Sequence, residues 1–304
     1  MSGIVLRLRD TTMTIGRGAP LVMGVVNASP ESFSDGAEAA TLDRQLARAR
    51  ALVDAGAQLL DVGGESGVTN RPPISAEVEI ERILPLVTRL VAAGHLVSVD
   101  TWKAPVARAA LDAGAHLIND VSGLADPEIA DHCARVGAGL VIMHTRAAPK
   151  VKAFPGYDDI VEDVVAFLGD KIALARSRGV RAEQVVIDPG PDFAKTPGQT
   201  VTVLHHLREF TRFERPILLA VSRKDFVGAL TARKPAARLA GTLAAIAEGV
   251  DAGASILRVH DVAEVIDFLT VRRALRHEVD IPAELHLAEA LRREPAGSGP
   301  FHRL

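Results

Sequence analysis

Short apolar runs rich in Val, Ile and Leu recur along the chain at 21–27, 59–63, 96–101, 117–121, 140–144, 185–188, 216–222 and 256–261. Between them the apolar residues move to helical spacing, as in Val78, Ile80, Ile83, Leu84, Val87 and Leu90, or Ile160, Val164, Val165, Phe167 and Leu168. Several helical segments stop on glycine just before the next run, at Ala55-Gly56-Ala57, Ala113-Gly114-Ala115, Gly137-Ala138-Gly139 and Ala252-Gly253-Ala254. Glycine there suits a helix end in the left-handed conformation. Runs that are apolar throughout predict strands covered on both faces. Eight such strands, each followed by a helix, predict a closed parallel (β/α)8 barrel in a single domain. An open doubly wound sheet is the competing arrangement, and eight regular units argue against it. Residues 4–15 predict a small hairpin plugging the barrel's bottom. The barrel domain is expected to span 1–280 and a C-terminal extension 281–304, with an extra helix over 283–293 and the frayed tail PAGSGPFHRL.

Polar residues punctuate this pattern at one place in each unit. The first strand stops at Asn27 and enters a loop carrying Ser29, Ser32, Phe33, Ser34 and Asp35. The other strand ends carry Asp61 with Glu65, Asp100, Asn119 with Asp120, His144, Asp188, Ser222 with Lys224, and Arg258 with His260. Helix capping accounts for any one Asp or Ser, but poorly for polar residues at every strand end. In a (β/α)8 barrel these ends converge on one mouth, where catalytic groups gather. Arg258 and His260 alternate along the last strand and face the same way, so with Lys224 and Arg71 they suit a phosphate-like anion. The alternative is a structural salt bridge between Arg258 and a neighbouring carboxylate. Asp100, Asn119 and Asp188 offer acceptors and an amide on the opposite side, suited to a flat heterocycle with adjacent N–H donors.

Composition narrows the class. With 48% apolar and 24% charged residues the chain is an ordinary globular sequence, and its net charge of −3 gives no reason to expect nucleic-acid binding. The single Cys133 excludes an intrachain disulfide and fits a reducing compartment. Arg7 and Arg9 interrupt what would have to be the apolar core of a signal peptide, so none is expected. The longest Ala/Leu-rich helix, around 236–252, contains Glu248 and Asp251 and is not expected to enter a membrane.

The segments VVNASPESFSDG, LLDVGGESG, VSVDTWKAPVARAALDAGAHLINDVSG, VIDPGPDFAKT, AVSRKDFVG and LRVHDV resemble, in order and spacing, the motifs of the dihydropteroate synthase family, over about residues 20–275. The resemblance implies a TIM barrel and a transferase. It joins 6-hydroxymethyl-7,8-dihydropterin diphosphate to 4-aminobenzoate, giving dihydropteroate and diphosphate in folate synthesis. It further implies Mg2+, a cytoplasmic location and a homodimer. Residue by residue, Asp100, Asn119, Asp188 and Lys224 match positions that hold the pterin, and Asn27 a Mg2+ ligand. Arg258 and His260 match the diphosphate clamp, and Asp35 an acidic group that stabilises positive charge as the carbon–oxygen bond breaks. Ser222 matches a residue near the aminobenzoate carboxylate, Phe33 and Phe193 can wall the slot for its ring, and Thr69 and Arg71 fall in the second loop.

The chain departs from the family pattern in four places. Its second loop runs on from Ser66 through Gly67-Val68-Thr69-Asn70 before Arg71-Pro72-Pro73, and His144 is followed by Thr145-Arg146. Pro191-Asp192-Phe193-Ala194 replaces a glycine-containing run, and Asp225 follows Lys224 where a small residue is common. An acid beside Ser222 either repels a substrate carboxylate or turns away to cap the next helix. Two other readings therefore stand beside the synthase: a pterin-binding paralogue without condensing activity, and a methyltetrahydrofolate-dependent methyltransferase of the same superfamily.

Overall fold

The computed structural model describes residues 3–16, 18–28, 38–65 and 72–293. The chain divides into two compact units, 1–267 and 268–304. The first begins with an antiparallel hairpin, β1 (Ile4–Leu8) and β2 (Thr11–Ile15). Eight parallel strands follow: β3 (Leu21–Asn27), β4 (Leu59–Gly63), β5 (Val97–Asp100), β6 (Leu117–Asp120), β7 (Gly139–Met143), β8 (Val185–Asp188), β9 (Ile217–Leu219) and β10 (Ala254–Val259). β10 pairs with both β3 and β9, so the sheet closes into a barrel. The intervening helices are α1 (Glu38–Asp54), α2 (Ala76–Ala92), α3 (Ala104–Asp112), α4 (Glu128–Val136), α5 (Ile160–Ser177), α6 (Pro197–His205), α7 (Asp225–Thr231) and α8 (Leu239–Ala252), and α9 (Val262–Leu275) follows β10. Gly56, Gly114, Gly137 and Gly253 all sit at positive φ, where the helix-ending role predicted for them needs glycine.

Strand period two explains how apolar-looking strands carry a polar site. Met23, Leu59, Leu117, Val141, Val186, Leu218 and Ile256 form one buried cluster inside the barrel, closed from below by Leu6, Leu8 and Ile15 of the hairpin. Each fully buried leucine in such a cluster contributes about 2 kcal/mol. Two residues further along, the same inward row reads Asp61, Asn119, Asp188 and Arg258, with Ser98 and Asp100 on β5. The barrel interior therefore changes from hydrocarbon to hydrogen-bonding groups within one step of the pleat.

In the second unit the segment expected to be helical over 283–293 contains a 3-10 turn, Glu289–Leu291, and no α-helix among its residues. Leu285, Leu287 and Leu291 are exposed. With no buried face, a stretch this short lacks what stabilises a helix. Residues 294–304, including the predicted tail, lie outside the described residues. No helix among the described residues is long and apolar enough to cross a membrane.

Candidate active site

Asp61 is the hub of the upper layer. It is fully buried; its Oδ1 accepts from the Ser98 hydroxyl (2.5 Å), and its Oδ2 accepts from Asn119 Nδ2 (3.2 Å) and Arg258 Nε (2.6 Å). Arg258 Nη2 donates to Asp100 Oδ2 (2.7 Å), so one guanidinium spans two carboxylates. The salt bridge weighed as an alternative for Arg258 is thus present, and it is made to residues of the mouth itself. Burial pushes Asp100 up to about 7 against the pull of Arg258, with Asp61 adding to the rise. Burial works against the Arg258 charge, but Asp61 and Asp100 more than offset it, and its pKa is raised.

The other side of the mouth is built from the β8–α6 and β9–α7 turns. Asp188 accepts from the Gly190 N–H (2.7 Å) and is raised by burial, opposed by that hydrogen bond and by Lys224. Gly190 is at φ 66°, and an added Cβ would lie 2.1 Å from the His144 carbonyl oxygen, so only glycine fits. Lys224 Nζ lies 4.2 Å from the centre of the Phe193 ring. Burial lowers the Lys224 pKa, with Asp192 and Asp188 opposing. Ser222 Oγ accepts from the His260 backbone N–H (3.2 Å) and lies 3.0 Å from His260 Nδ1. A hydroxyl can accept from that N–H and also donate to Nδ1, and this pairing, which uses its one proton, places the ring proton on Nε2. Burial, then Arg258 and Arg223, push His260 down to about 4, so it is a neutral donor at pH 7. A cavity of about 770 Å3 opens beside Phe193 and Lys224, reaching Trp102, Thr145 and Lys152.

The structure brings Asp100, Asn119, Asp188, Phe193, Ser222, Lys224, Arg258 and His260 to one mouth, as the strand ends predict. Asn27 is exposed at the end of β3, and its side chain makes no hydrogen bond among the described residues. Phe33, Asp35, Thr69 and Arg71 lie outside the described residues. Two other strand-end residues serve the scaffold. Asp120 accepts from the Ser122 and Leu124 N–H groups (both 2.8 Å) and ties its own turn. His144 is sealed between Asp163 and Lys195, 2.8 and 2.7 Å away.

Asp225 is turned toward Arg238, whose Nη1 donates to its Oδ1 (2.9 Å), and so is away from Ser222. The sequence reading gave no role to Asp61 beyond its place at a strand end. Its signal was there: an acid at the inward parity of an apolar strand, in phase with Leu59. Also unforeseen is the clamp at the base of the second loop, where Glu65 and the fully buried Glu79 each lie 2.6 Å from Lys103 Nζ.

A closed barrel whose mouth combines buried carboxylates, an amide and an arginine defines a pterin-binding type of enzyme, and the chain matches the family described as pterin binding enzyme over residues 23–260. It is 38% identical over 258 residues to a dihydropteroate synthase of Synechocystis sp., covering 84% of this chain and 89% of that protein. It is 40% identical over 256 residues to a probable bifunctional folylpolyglutamate synthase/dihydropteroate synthase of Haloferax volcanii, spanning 84% of this chain but 30% of that longer protein. Among solved structures, Xanthomonas albilineans dihydropteroate synthase with 4-aminobenzoic acid is similar at TM-score 0.84 and 39% identity, over 90% of this chain and 98% of that one. The same enzyme in complex with 7,8-dihydropteroate gives 0.80 and 40%, over 89% and 98%. The chain belongs to the dihydropteroate synthase family.

Proposed function

We propose that the chain condenses 6-hydroxymethyl-7,8-dihydropterin diphosphate with 4-aminobenzoate, forming 7,8-dihydropteroate and releasing diphosphate. The observation that carries this is Arg258: it is fixed by Asp61 and Asp100 on the acceptor side, while its Nη1 donates to nothing among the described residues. One residue thereby links a site for a donor-rich ring with a site for an anion. Asp100, Asn119 and Asp188 accept from or donate to the pterin edge, and Lys224 closes that side. Arg258 and the Nε2–H of neutral His260 donate to the diphosphate. Phe193, with Lys224 over its ring, supports the aminobenzoate ring, and Ser222 is held by His260 beside it.

The exocyclic carbon–oxygen bond to diphosphate breaks, the amine nitrogen bonds that carbon, and the amine's proton leaves. Charge develops on the departing diphosphate, where preorganised donors stabilise it most. No side-chain nucleophile is needed. Among the described residues there is no ready-made cluster of three His, Cys, Asp or Glu for a metal. Asn27, exposed and without a partner among the described residues, would hold a Mg2+ through its amide oxygen. Such an ion would supply charge neutralisation to the leaving group. Asp35, Phe33, Thr69 and Arg71 enter on the family resemblance: Asp35 for the developing cation, Phe33 for the aminobenzoate slot, Thr69 and Arg71 for the second loop. A cytoplasmic homodimer belongs to the same reading, and light scattering on the purified chain tests the dimer.

The turned-away Asp225 favours the synthase over a non-condensing paralogue. An anion clamp likewise favours it over a methyltransferase, whose methyl donor brings no diphosphate. The test is diphosphate release by purified protein given the pterin diphosphate and Mg2+, with and without 4-aminobenzoate. Aminobenzoate-dependent release with formation of dihydropteroate supports the reading; pterin binding without turnover sinks it in favour of the paralogue.

A further inference from the structure

Two turns meet on one side of the mouth, and both are conformationally strained. The turn after β8 carries Asp188 and Phe193 and takes positive φ at Gly190, Asp192 (64°) and Ala194 (50°). The turn after β9 carries Ser222 and Lys224 and has Arg223 at φ 59°. Three non-glycine residues in the left-handed region persist only where surrounding contacts over-determine them.

Asp192 is the side chain that joins the turns. Its Oδ2 accepts from the backbone N–H groups of Asp225 (2.5 Å) and Phe226 (3.2 Å), the first two residues of α7. Its Oδ1 accepts from the Thr200 hydroxyl (3.2 Å), and its own N–H donates back to that oxygen (3.0 Å). One carboxylate thus ties the β8–α6 turn, helix α6 and the start of α7. The N-cap residue of α7 is Lys224, whose side chain makes no cap. The cap comes from the neighbouring turn instead, and Lys224 is left to lie over Phe193. Asp suits both demands, since it tolerates the left-handed region and its charge favours a helix start.

We infer that Asp192 is a positioning residue: by docking the turn bearing Phe193 onto the turn bearing Lys224, it sets the aromatic and cationic wall against which 4-aminobenzoate lies. The role rests on the synthase reading above, while the docking itself is independent of it. Both oxygens of Asp192 are engaged by the protein, so it acts through the turns it joins. If it were only a helix cap, its loss would lower stability and leave the balance between substrates unchanged.

Two variants of the full chain separate these cases. Asp192→Gly removes the carboxylate but accepts the positive φ, and Asp192→Asn keeps the shape, the left-handed tolerance and an acceptor oxygen. Each is compared with the unchanged chain in aminobenzoate-dependent diphosphate release, in calorimetric binding of 6-hydroxymethylpterin, and in amide exchange of the segment 221–229. Because small misplacements of a substrate wall act strongly, Asp192→Gly is expected to raise KM for 4-aminobenzoate about tenfold with kcat and pterin affinity within about threefold. Asp192→Asn is expected to recover most of this, and exchange at Asp225 and Phe226 to quicken in the glycine variant. An unchanged KM, a loss that Asn does not rescue, or an equal loss of pterin binding overturns the positioning role. If the unchanged chain releases no diphosphate, the synthase reading fails. The exchange data then decide alone: protection at 225 and 226 that survives Asp192→Gly overturns the docking.

Discussion

Arg258 and Lys195 are both basic groups set into the mouth of the barrel, and their surroundings differ: burial pushes Lys195 down to about 7, whereas Arg258, although burial works against its charge, is raised by Asp61 and Asp100. The Lys195 side chain is 1% exposed, and its ammonium reaches the Gly190 carbonyl (2.9 Å), the Phe193 carbonyl (3.1 Å) and His144 Nδ1 (2.7 Å). The His144 carbonyl is a further acceptor at 3.3 Å, and all of these partners come from the protein. The Arg258 side chain is 20% exposed, is held by two carboxylates, and keeps donors that no described residue accepts. A network completed by the protein fixes a loop, whereas one left incomplete is preorganised for something that arrives.

The largest expected effect breaks the open network. Arg258→Ala removes donors to the leaving group and leaves Asp61 without its cation, so aminobenzoate-dependent diphosphate release is expected to fall at least about a thousandfold. Steady-state release of diphosphate measures it. A variant retaining a tenth of the activity would mean that the open donors of Arg258 face no substrate.

Next comes the closed network. Lys195→Met leaves three carbonyls and His144 Nδ1 without their donor and is expected to cost about 3 kcal/mol of stability, read by chemical denaturation. Pterin affinity of the folded fraction should stay within a few-fold. Loss of pterin binding without loss of stability would erase the distinction between the two networks.

The third effect is a pH dependence of ligand binding on the open side. Asp100 is pushed up to about 7 by burial, so in the ligand-free protein it is increasingly protonated below that pH. The pterin binds the carboxylate form, and affinity therefore rises with pH. Between pH 6 and 8 the deprotonated fraction grows about tenfold, and 6-hydroxymethylpterin affinity by calorimetry should follow it. The sign for folding is opposite. A raised Asp pKa means that the folded state holds the proton more tightly, so this group's contribution to stability declines as pH climbs from about 4 to 7. Asp100→Asn should bind more weakly and flatten the affinity profile.

How far these networks were legible in the sequence depends on their range. The strands at 21–27, 59–63 and 185–188 fall where the apolar runs predicted them, because burial on both faces writes itself into consecutive residues. The parity of Asp61 and Arg258 was legible too, but their contact joins residues 197 positions apart, and only barrel closure between β10 and β3 creates it. Lys195 sits in a polar loop of Pro, Asp and Thr, and such a lysine ordinarily reads as solvated. Its burial arises from turns of positive φ at Asp192 and Ala194, which residues of those types do not announce. The helix expected over 283–293 failed for the converse reason: its apolar residues suggested a face, and no face is buried.

The smallest expected effect lies at the outer edge of the closed network and tests whether that network is one unit. Arg146 donates through Nε (3.0 Å) and Nη2 (2.9 Å) to the two oxygens of Asp163, which also meets His144 Nε2. His144 is pushed down to about 3 by burial and then by Lys195, so it is neutral; with Lys195 donating to Nδ1, its proton sits on Nε2 and goes to Asp163. Arg146 is 44% exposed, and an ion pair there is worth about 0.5 kcal/mol, so Arg146→Ala should shift the denaturation midpoint only slightly. Were it to cost as much as Lys195→Met, the chain from Arg146 through Asp163 and His144 to Lys195 would be cooperative from surface to core. A double-mutant cycle between Arg146 and Lys195 measures that coupling directly. Coupling below about 0.5 kcal/mol would confine the closed network to Lys195, His144 and the turn they hold.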